Sequence, residues 1–292
     1  MTVMVTGASG LIGRAAIPAL LVRNLEVRAA IRRPEIADQL RSMGAKVTVG
    51  RLDDAGSLAA VCSGAYTLVH LVGGANQRDR DEVFAANHGS VLTAISAAKL
   101  AGVRRFVLLS SPGASPDAAH AYLRARGLAE EAVRESGLEH AIVRATHPYG
   151  VGGLWFTVLV QSAAAGFVIG EGTDPLAPIY AADVAEVLAA IDDRREEVSG
   201  TWALEGPDTA TGLDLFGALA QDQPPAHLDP DEASPLLGRM LGVPVSADAL
   251  RIFGAPCRAD APDASAAFGI ARTPLAEGLR RTMQRAAAGL GG

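Results

Sequence analysis

The feature that most narrows the fold is the junction at residues 2–13, where the β-branched run TVMVT leads directly into GASGLIG. Gly7, Gly10 and Gly13 fall at i, i+3 and i+6 on a strand-to-helix turn, ahead of the helical run LIGRAAIPALLV at 11–22. Gly7 permits the sharp turn, Gly10 leaves the backbone bare where a pyrophosphate would approach, and Gly13 lets the helix pack closely on the sheet. The helix N-terminus adds partial positive charge. The spacing alone also fits an ordinary tight βα turn. A parallel sheet around it makes it a nucleotide-binding signature.

The rest of the first half supplies that sheet. A strand at 25–31 is followed by a helix near 35–43, a strand at 46–50, a helix at 56–62 and a strand at 66–71. A long helix at 80–102, a strand at 104–110, a helix at 118–136 and a strand at 139–144 complete six strands joined by helical crossovers. Crossovers force the strands parallel, with helices on both faces. The expected class is therefore α/β, a doubly wound parallel Rossmann sheet, with residues 1–150 as the nucleotide-binding domain. Residues 151–292 form a smaller substrate-side part, partly interleaved with the core, with helices at 181–193 and 274–288. The proline-rich acidic stretch 221–235 reads as an exposed loop.

Composition removes several function classes. The net charge of −6 and the lack of a clustered Lys or Arg run argue against nucleic acid as a partner. Cys62 and Cys257 are the only cysteines and have no metal-ligand spacing, so neither a zinc site nor a disulfide scaffold is expected. The opening MTVMVTGASG has no basic stretch before an apolar one, and no segment holds about 18 uncharged apolar residues. A cytoplasmic protein without membrane contact is expected, as monomer or homodimer, the long helices at 80–102 and 118–136 offering a dimer face.

The end of the second strand distinguishes the two nicotinamide dinucleotides. A carboxylate there would accept from the ribose hydroxyls of NAD and repel a 2′-phosphate. The sequence has Arg32 and Arg33 instead. A guanidinium offers bidentate, charge-assisted bonds to phosphate, so NADP (NADPH) is the expected cofactor, with Arg32 the first candidate. Both arginines also suit a solvated helix start before Pro34.

These segments resemble one family in order: TGASGLIG at 6–13, VRAAIRRP at 27–34, LVHLVGG at 68–74, Asn87, GVRRFVLLSS at 102–111, IVRATHPYG at 142–150, PIYAADVAEVL at 178–188 and TPLAEGLRRTM at 273–283. The chain is similar to extended and atypical short-chain dehydrogenase/reductases, especially the NmrA-like and NAD-dependent-epimerase-like branch. Residues 206–270 match no landmark. The resemblance implies that Gly7, Ser9, Gly10, Leu11, Ile12 and Gly13 bind the dinucleotide, with Leu71, Val72 and Gly73 along the adenine ribose. It also implies Leu52 and Asp53 beside the adenine, Asn87 below the nicotinamide side, and Ser110 at the cofactor. Arg51 stands where the family often has an Asp for the adenine amino group.

The same resemblance implies a reacting centre. Family reductases use a Ser or Thr after the fifth strand and a Tyr followed four residues later by Lys; here the positions hold Ser111, Tyr122 and Arg126. Tyr122 and Arg126 share one helix face at i, i+4. A guanidinium can hold charge and donate to ribose hydroxyls, but it does not relay a proton. Arg126 could equally pair with Glu130, Ser111 could simply occupy a turn, and Tyr122 could pack against the sheet. His147, Tyr149, Trp155 and Phe156 follow the sixth strand, where they would meet a substrate; His147 is a further acid/base candidate, and the aromatic grouping suits an apolar molecule or core packing alike.

Three functions fit these residues. The first is an NADPH-dependent oxidoreductase reducing a carbonyl or activated double bond of a small, fairly apolar molecule. The second is a non-catalytic NADP-binding sensor. The third is an epimerase, isomerase or dehydratase that retains its cofactor.

Overall fold

The computed structural model describes residues 1–50, 53–194, 198–220, 224–256, 258 and 261–289. The first half follows the alternation read from the sequence. Strands β1 (Thr2–Thr6), β2 (Glu26–Ile31), β3 (Lys46–Val49), β4 (Thr67–His70), β5 (Arg105–Ser110) and β6 (Glu139–Ala145) are separated by helices. These include α1 (Leu11–Val22), α2 (Ala37–Ser42), α3 (Ala55–Cys62), α4 (Arg80–Phe84), α5 (Ser90–Ala101) and α6 (Ala121–Arg134). A π turn at Ala85–Gly89 joins α4 to α5, so the long helix expected at 80–102 is one continuous run with a widened turn at Asn87.

Seven parallel strands form the central sheet in the order β3-β2-β1-β4-β5-β6-β8, where β8 is Gly200–Leu204. The seventh strand escaped the sequence reading, which counted six. Its inner edge pairs with β6, Val143 opposite Trp202. Successive strand residues enter opposite cores: Val3 and Val5 join one cluster while Met4 joins the other, and Val107 and Leu108 divide in the same way. Burial on both faces is what helical crossovers impose on a parallel sheet. Helices α1 and α8 (Ala181–Asp193) cover one face; α3, α5 and α6 cover the other. Strand order reverses between β1 and β4, and open sheets of this kind bind ligands in the crevice at that reversal.

The later half adds α7 (Leu154–Ala164), a parallel pair β7 (Phe167–Ile169) and β9 (Ala226–Leu228), α9 (Gly212–Leu219), α10 (Pro230–Leu241), α11 (Ala247–Gly254), α12 (Ala264–Phe268) and α13 (Leu275–Ala287). Of the stretch 221–235 expected as an exposed loop, residues 221–223 lie outside the described residues, and the rest is largely exposed but not all loop. From Ala226 onward it holds β9 and the start of α10. Asp229 caps that helix by accepting from the Asp231 and Glu232 amides, Glu232 returns the bond, and Pro230 stands at the first helical position. Proline is favoured there because that amide has no helical partner to lose. Among the described residues no helix is long and apolar enough to cross a membrane.

Candidate nucleotide and reaction site

The glycine turn has the geometry its spacing implies. Gly7 has φ +72°, and a Cβ there would stand 2.7 Å from the backbone of Leu71. The turn and the β4 exit are thus in direct backbone contact. A Cβ on Gly13 would overlap the Cα of Ala8 and lie 2.6 Å from the Gly7 carbonyl, so only glycine lets α1 sit this close. Gly10, by contrast, has one neighbour, the Gly7 carbonyl, near its missing side chain. It begins α1 without any side-chain cap, which leaves the first amides of the helix, Leu11 to Gly13, free for an anion. The side chains of Leu11 and Ile12 face inward, Leu11 against Gly150 and Gly153 and Ile12 in the core.

Two guanidiniums converge on this turn. Arg33 is exposed and donates to the Ser9 carbonyl at 3.3 Å. Arg14, in the first turn of α1, donates to the Val151 carbonyl at 3.2 Å. Burial and the neighbouring Arg33 charge both hold Arg14 below the ordinary arginine range, burial most. Arg33, rather than Arg32, is the member of the predicted pair that reaches the glycine turn. No sequence pattern singles out Arg14 beyond its place in the first helical turn, where a cation opposes the helix dipole. Asp53 is exposed beyond β3. Leu52 and Arg51 lie outside the described residues.

The loop after β4 is shaped by Asn87. Its Oδ1 accepts from the Gly74 amide at 2.8 Å, and its Nδ2 donates to the carbonyls of Gly74 at 3.0 Å and Val83 at 2.9 Å. All its polar atoms serve the backbone, so Asn87 fixes the path of Val72 to Gly74. Gly73, at φ +119°, sits so close that a Cβ would be 2.5 Å from Asn87 Oδ1 and 2.7 Å from Arg126 Nη2. Beneath this loop a chain of hydrogen bonds orders His70. Ser90 donates to the Ala86 carbonyl at 2.7 Å, so its oxygen accepts from His70 Nε2 at 3.2 Å and Nδ1 accepts from Thr6 Oγ1 at 2.9 Å. Burial first, and then the charge of Arg126, hold this imidazole down at about 3.

Arg126 is 5 % exposed, and its placement decides one of the sequence alternatives. It does not pair with Glu130. That carboxylate instead accepts from Arg134, from Arg144 and from Ser110 Oγ at 2.7 Å. Ser110 therefore spends its hydroxyl inside the protein. Arg126 lies 5.8 Å from the centre of the Tyr122 ring and makes one long hydrogen bond, Nη2 to the Val72 carbonyl at 3.4 Å. Its Nε and Nη1 are buried and have no partner. Ser111, just past β5, has only a 3.3 Å bond to the Pro112 carbonyl.

The start of α6 is tied to the later half. His120 Nδ1 accepts from the Tyr122 amide at 3.2 Å, and Nε2 faces the Asp248 carbonyl of α11 at 3.2 Å. Asn76 clasps the same segment through Pro244 and Ser246 at 3.0 and 2.8 Å. His147 Nε2 lies 3.2 Å from the Ile252 carbonyl, and Trp155 Nε1 donates to that of Phe253 at 3.1 Å. Helix α11, from the stretch that matched no landmark, thus bridges α6, the β4 loop and the end of β6.

Of the aromatic group, Tyr149 is interior packing: it is fully buried against Tyr180, Trp155 and Gly278. Phe156 is also buried. Trp155 differs, forming with Phe167, Leu176, Leu215, Phe216 and Phe253 the wall of an apolar cavity. The cavity is small, about 60 Å³ in volume, and partly open to solvent.

Comparison with known proteins agrees with this geometry. A family model described as NAD(P)H-binding matches residues 7–194. The chain is 30 % identical over 222 residues to NADH dehydrogenase [ubiquinone] 1 alpha subcomplex subunit 9, mitochondrial, of Arabidopsis thaliana, covering 72 % of this chain and 55 % of that protein. It is 30 % identical over 190 residues to the ceramide reductase of Caulobacter vibrioides, covering 64 % and 60 %. The chain thus spans a little over half the length of these curated relatives. The triphenylmethane reductase of Citrobacter sp. shares the fold, with a TM-score of 0.75 at 18 % identity over 97 % of this chain and 100 % of that one. The glycine turn, the β4 loop and strands β2 to β6 lie within the matched span, and the chain belongs to the NAD(P)H-binding family, as its likeness to the NmrA-like short-chain dehydrogenase/reductases implied.

Proposed function

We propose that the protein is an NADPH-dependent reductase acting on a carbonyl or activated double bond of a small, fairly apolar molecule. The observation that carries this reading is Arg126, a buried guanidinium with two unpartnered N–H-bearing nitrogens beside Tyr122, Gly73 and the Asn87 turn. Buried donors without partners are rare in native proteins and point to a missing ligand. The bound nicotinamide supplies hydride chemistry.

The residues around it divide the remaining work. The amides at the start of α1 hold the pyrophosphate, and Arg33 with Arg14 holds a 2′-phosphate. Arg126 donates to hydroxyls of the nicotinamide ribose. Ser111 donates a hydrogen bond to the substrate oxygen, and the Tyr122 hydroxyl delivers a proton to that oxygen as negative charge develops on it. The Citrobacter triphenylmethane reductase, crystallised with NADP(H), and the ceramide reductase are consistent with this choice of cofactor and reaction class.

A second reading, nucleotide binding without turnover, draws on one observation. The Tyr122 partner is an arginine, which holds charge but cannot pass a proton onward as lysine can. Following NADPH oxidation at 340 nm (~10² to 10⁴-fold is the usual worth of a positioned acid) against a panel of ketones and enones separates the two. The reductase reading expects turnover that Tyr122→Phe lowers by that factor while NADPH still binds. Undiminished turnover in Tyr122→Phe would move the acid elsewhere, and no turnover on any member would favour the second reading.

A further inference from the structure

Just beyond β6 the chain carries an imidazole whose hydrogen bonding is incomplete. His147 is 8 % exposed and has φ +27°, a backbone region that L-residues other than Asn, Asp and His seldom enter. Its Nε2 faces the Ile252 carbonyl at 3.2 Å. A carbonyl only accepts, so Nε2 carries the hydrogen and the lone pair of the neutral ring lies on Nδ1. Nδ1 is buried and has no partner. Burial keeps the group below the usual histidine range, outweighing the bond to Ile252, so the ring is neutral at pH 7 and presents an acceptor alone.

Position gives this acceptor a meaning. Ser110 of β5 lies opposite Arg144 of β6, so Ser111 and His147 leave the ends of adjacent strands, which run about 4.8 Å apart. On its other side the imidazole tilts against Trp155, with ring centres 5.7 Å apart, and Trp155 is a wall of the apolar cavity. Both side chains donate to consecutive carbonyls of α11, those of Ile252 and Phe253. Ser111 and His147 thus leave neighbouring strand ends, and the imidazole packs on a ring that lines the apolar cavity.

We infer that His147 is a specificity-determining acceptor for a substrate hydroxyl, and that the substrate is an apolar ketone bearing that hydroxyl near its carbonyl, with its apolar body toward the Trp155 cavity. The inference rests on the reductase reading above. It gives His147 a positioning task and not proton transfer, because its one N–H is committed to Ile252. A substrate without the hydroxyl leaves Nδ1 unpaired in the complex, and sites built to pair a substrate hydroxyl reject analogues that lack it.

Two probes differing only in that group test it: 2-hydroxyacetophenone and acetophenone, each followed by NADPH oxidation. The wild-type protein is expected to prefer the hydroxyketone in kcat/KM by at least about tenfold. His147→Phe keeps an aromatic ring beside Trp155 and deletes both nitrogens; in it the preference ratio should fall to within about twofold. Equal kcat/KM for the two ketones in the wild type would overturn the inference, as would a preference that survives in His147→Phe. The wild-type comparison stands even if the variant does not fold. Calorimetric titration of the same pair into protein with NADPH keeps the two claims apart. Hydroxyl-dependent binding without NADPH oxidation refutes the reductase and retains the acceptor, whereas neither binding nor turnover of either ketone overturns the substrate class.

Discussion

Replacing Arg126 by Met should leave the free protein as stable as the wild type, or more so, while weakening its hold on the dinucleotide. The two effects have opposite signs because of what Arg126 touches. In the free protein it has one hydrogen bond, at 3.4 Å, and a cation–π contact with Tyr122 at 5.8 Å. Together these contribute about 1 to 2 kcal/mol. Against them stand two buried nitrogens without partners, Nε and Nη1, and an unsatisfied buried donor costs about 1 to 3 kcal/mol. Met fills similar space with a flexible apolar chain, so the sum runs from near zero to about 5 kcal/mol in favour of the variant. Binding loses charge-assisted hydrogen bonds to ribose, each about 1.5 to 3 kcal/mol, which raises Kd roughly 10- to 150-fold. Urea unfolding of the free protein and calorimetric titration with NADPH measure both sides. A variant destabilised by more than about 2 kcal/mol with unchanged NADPH affinity would instead make Arg126 a structural residue with no part in nucleotide binding.

Other perturbations test neighbouring parts of the site. Arg33→Ala should weaken NADPH by about 1.5 to 3 kcal/mol and leave NADH nearly unaffected; equal losses in titrations of both would remove the 2′-phosphate assignment. Gly73→Ala places a Cβ 2.5 Å from Asn87 Oδ1 at φ +119°, so unfolding free energy should drop by about 1 to 3 kcal/mol along with nucleotide affinity, and a variant that titrates like the wild type would contradict the packing described. His70 gives a pH dependence. Its folded value, about 3, lies below the ordinary 6.5, so its contribution is fully present above pH 6.5 and is lost as pH falls toward 3. Between pH 6.5 and 5 the cost is about 2 kcal/mol, and His70→Asn should flatten that slope in urea titrations; an unchanged slope would place the protonation elsewhere.

The parts of this site that follow from local chain mechanics were legible in the sequence. Gly7 and Gly13 are required by a turn and a close helix approach, and both requirements leave a readable spacing. Strands β1, β2, β4, β5 and β6 are legible for a related reason: burial on both faces demands short continuous apolar runs between helices, whereas the exposed edge strand β3 shows only its β-branched residues. The reading failed where long-range packing decides. Strand β8 lies 55 residues beyond β6 in GTWAL, a run that only pairing with β6 identifies as a strand. Asp229 and Pro230 look like loop residues until the capping exchange with Glu232 is visible, although Asp-Pro before an acidic third position is itself a helix-start signal. Glu130 illustrates a different limit. Its i−4 neighbour Arg126 was a plausible partner by spacing, but Arg134, Arg144 and Ser110 take the carboxylate, and Arg144 comes from another strand. The function of α11 was likewise invisible, because its contribution consists of backbone carbonyls at Asp248, Ile252 and Phe253, which no sequence pattern marks.

The proposed NADPH site joins the glycine turn, the arginines beside it and Arg126. Calorimetric titration of the purified protein with NADPH and, separately, with NADH tests it most directly. Saturable binding of NADPH is expected, with Kd at least about tenfold below that for NADH, the difference arising from the 2′-phosphate alone. Equal affinity for the two would contradict the phosphate assignment to Arg33 and Arg14, and binding of neither would contradict the site itself.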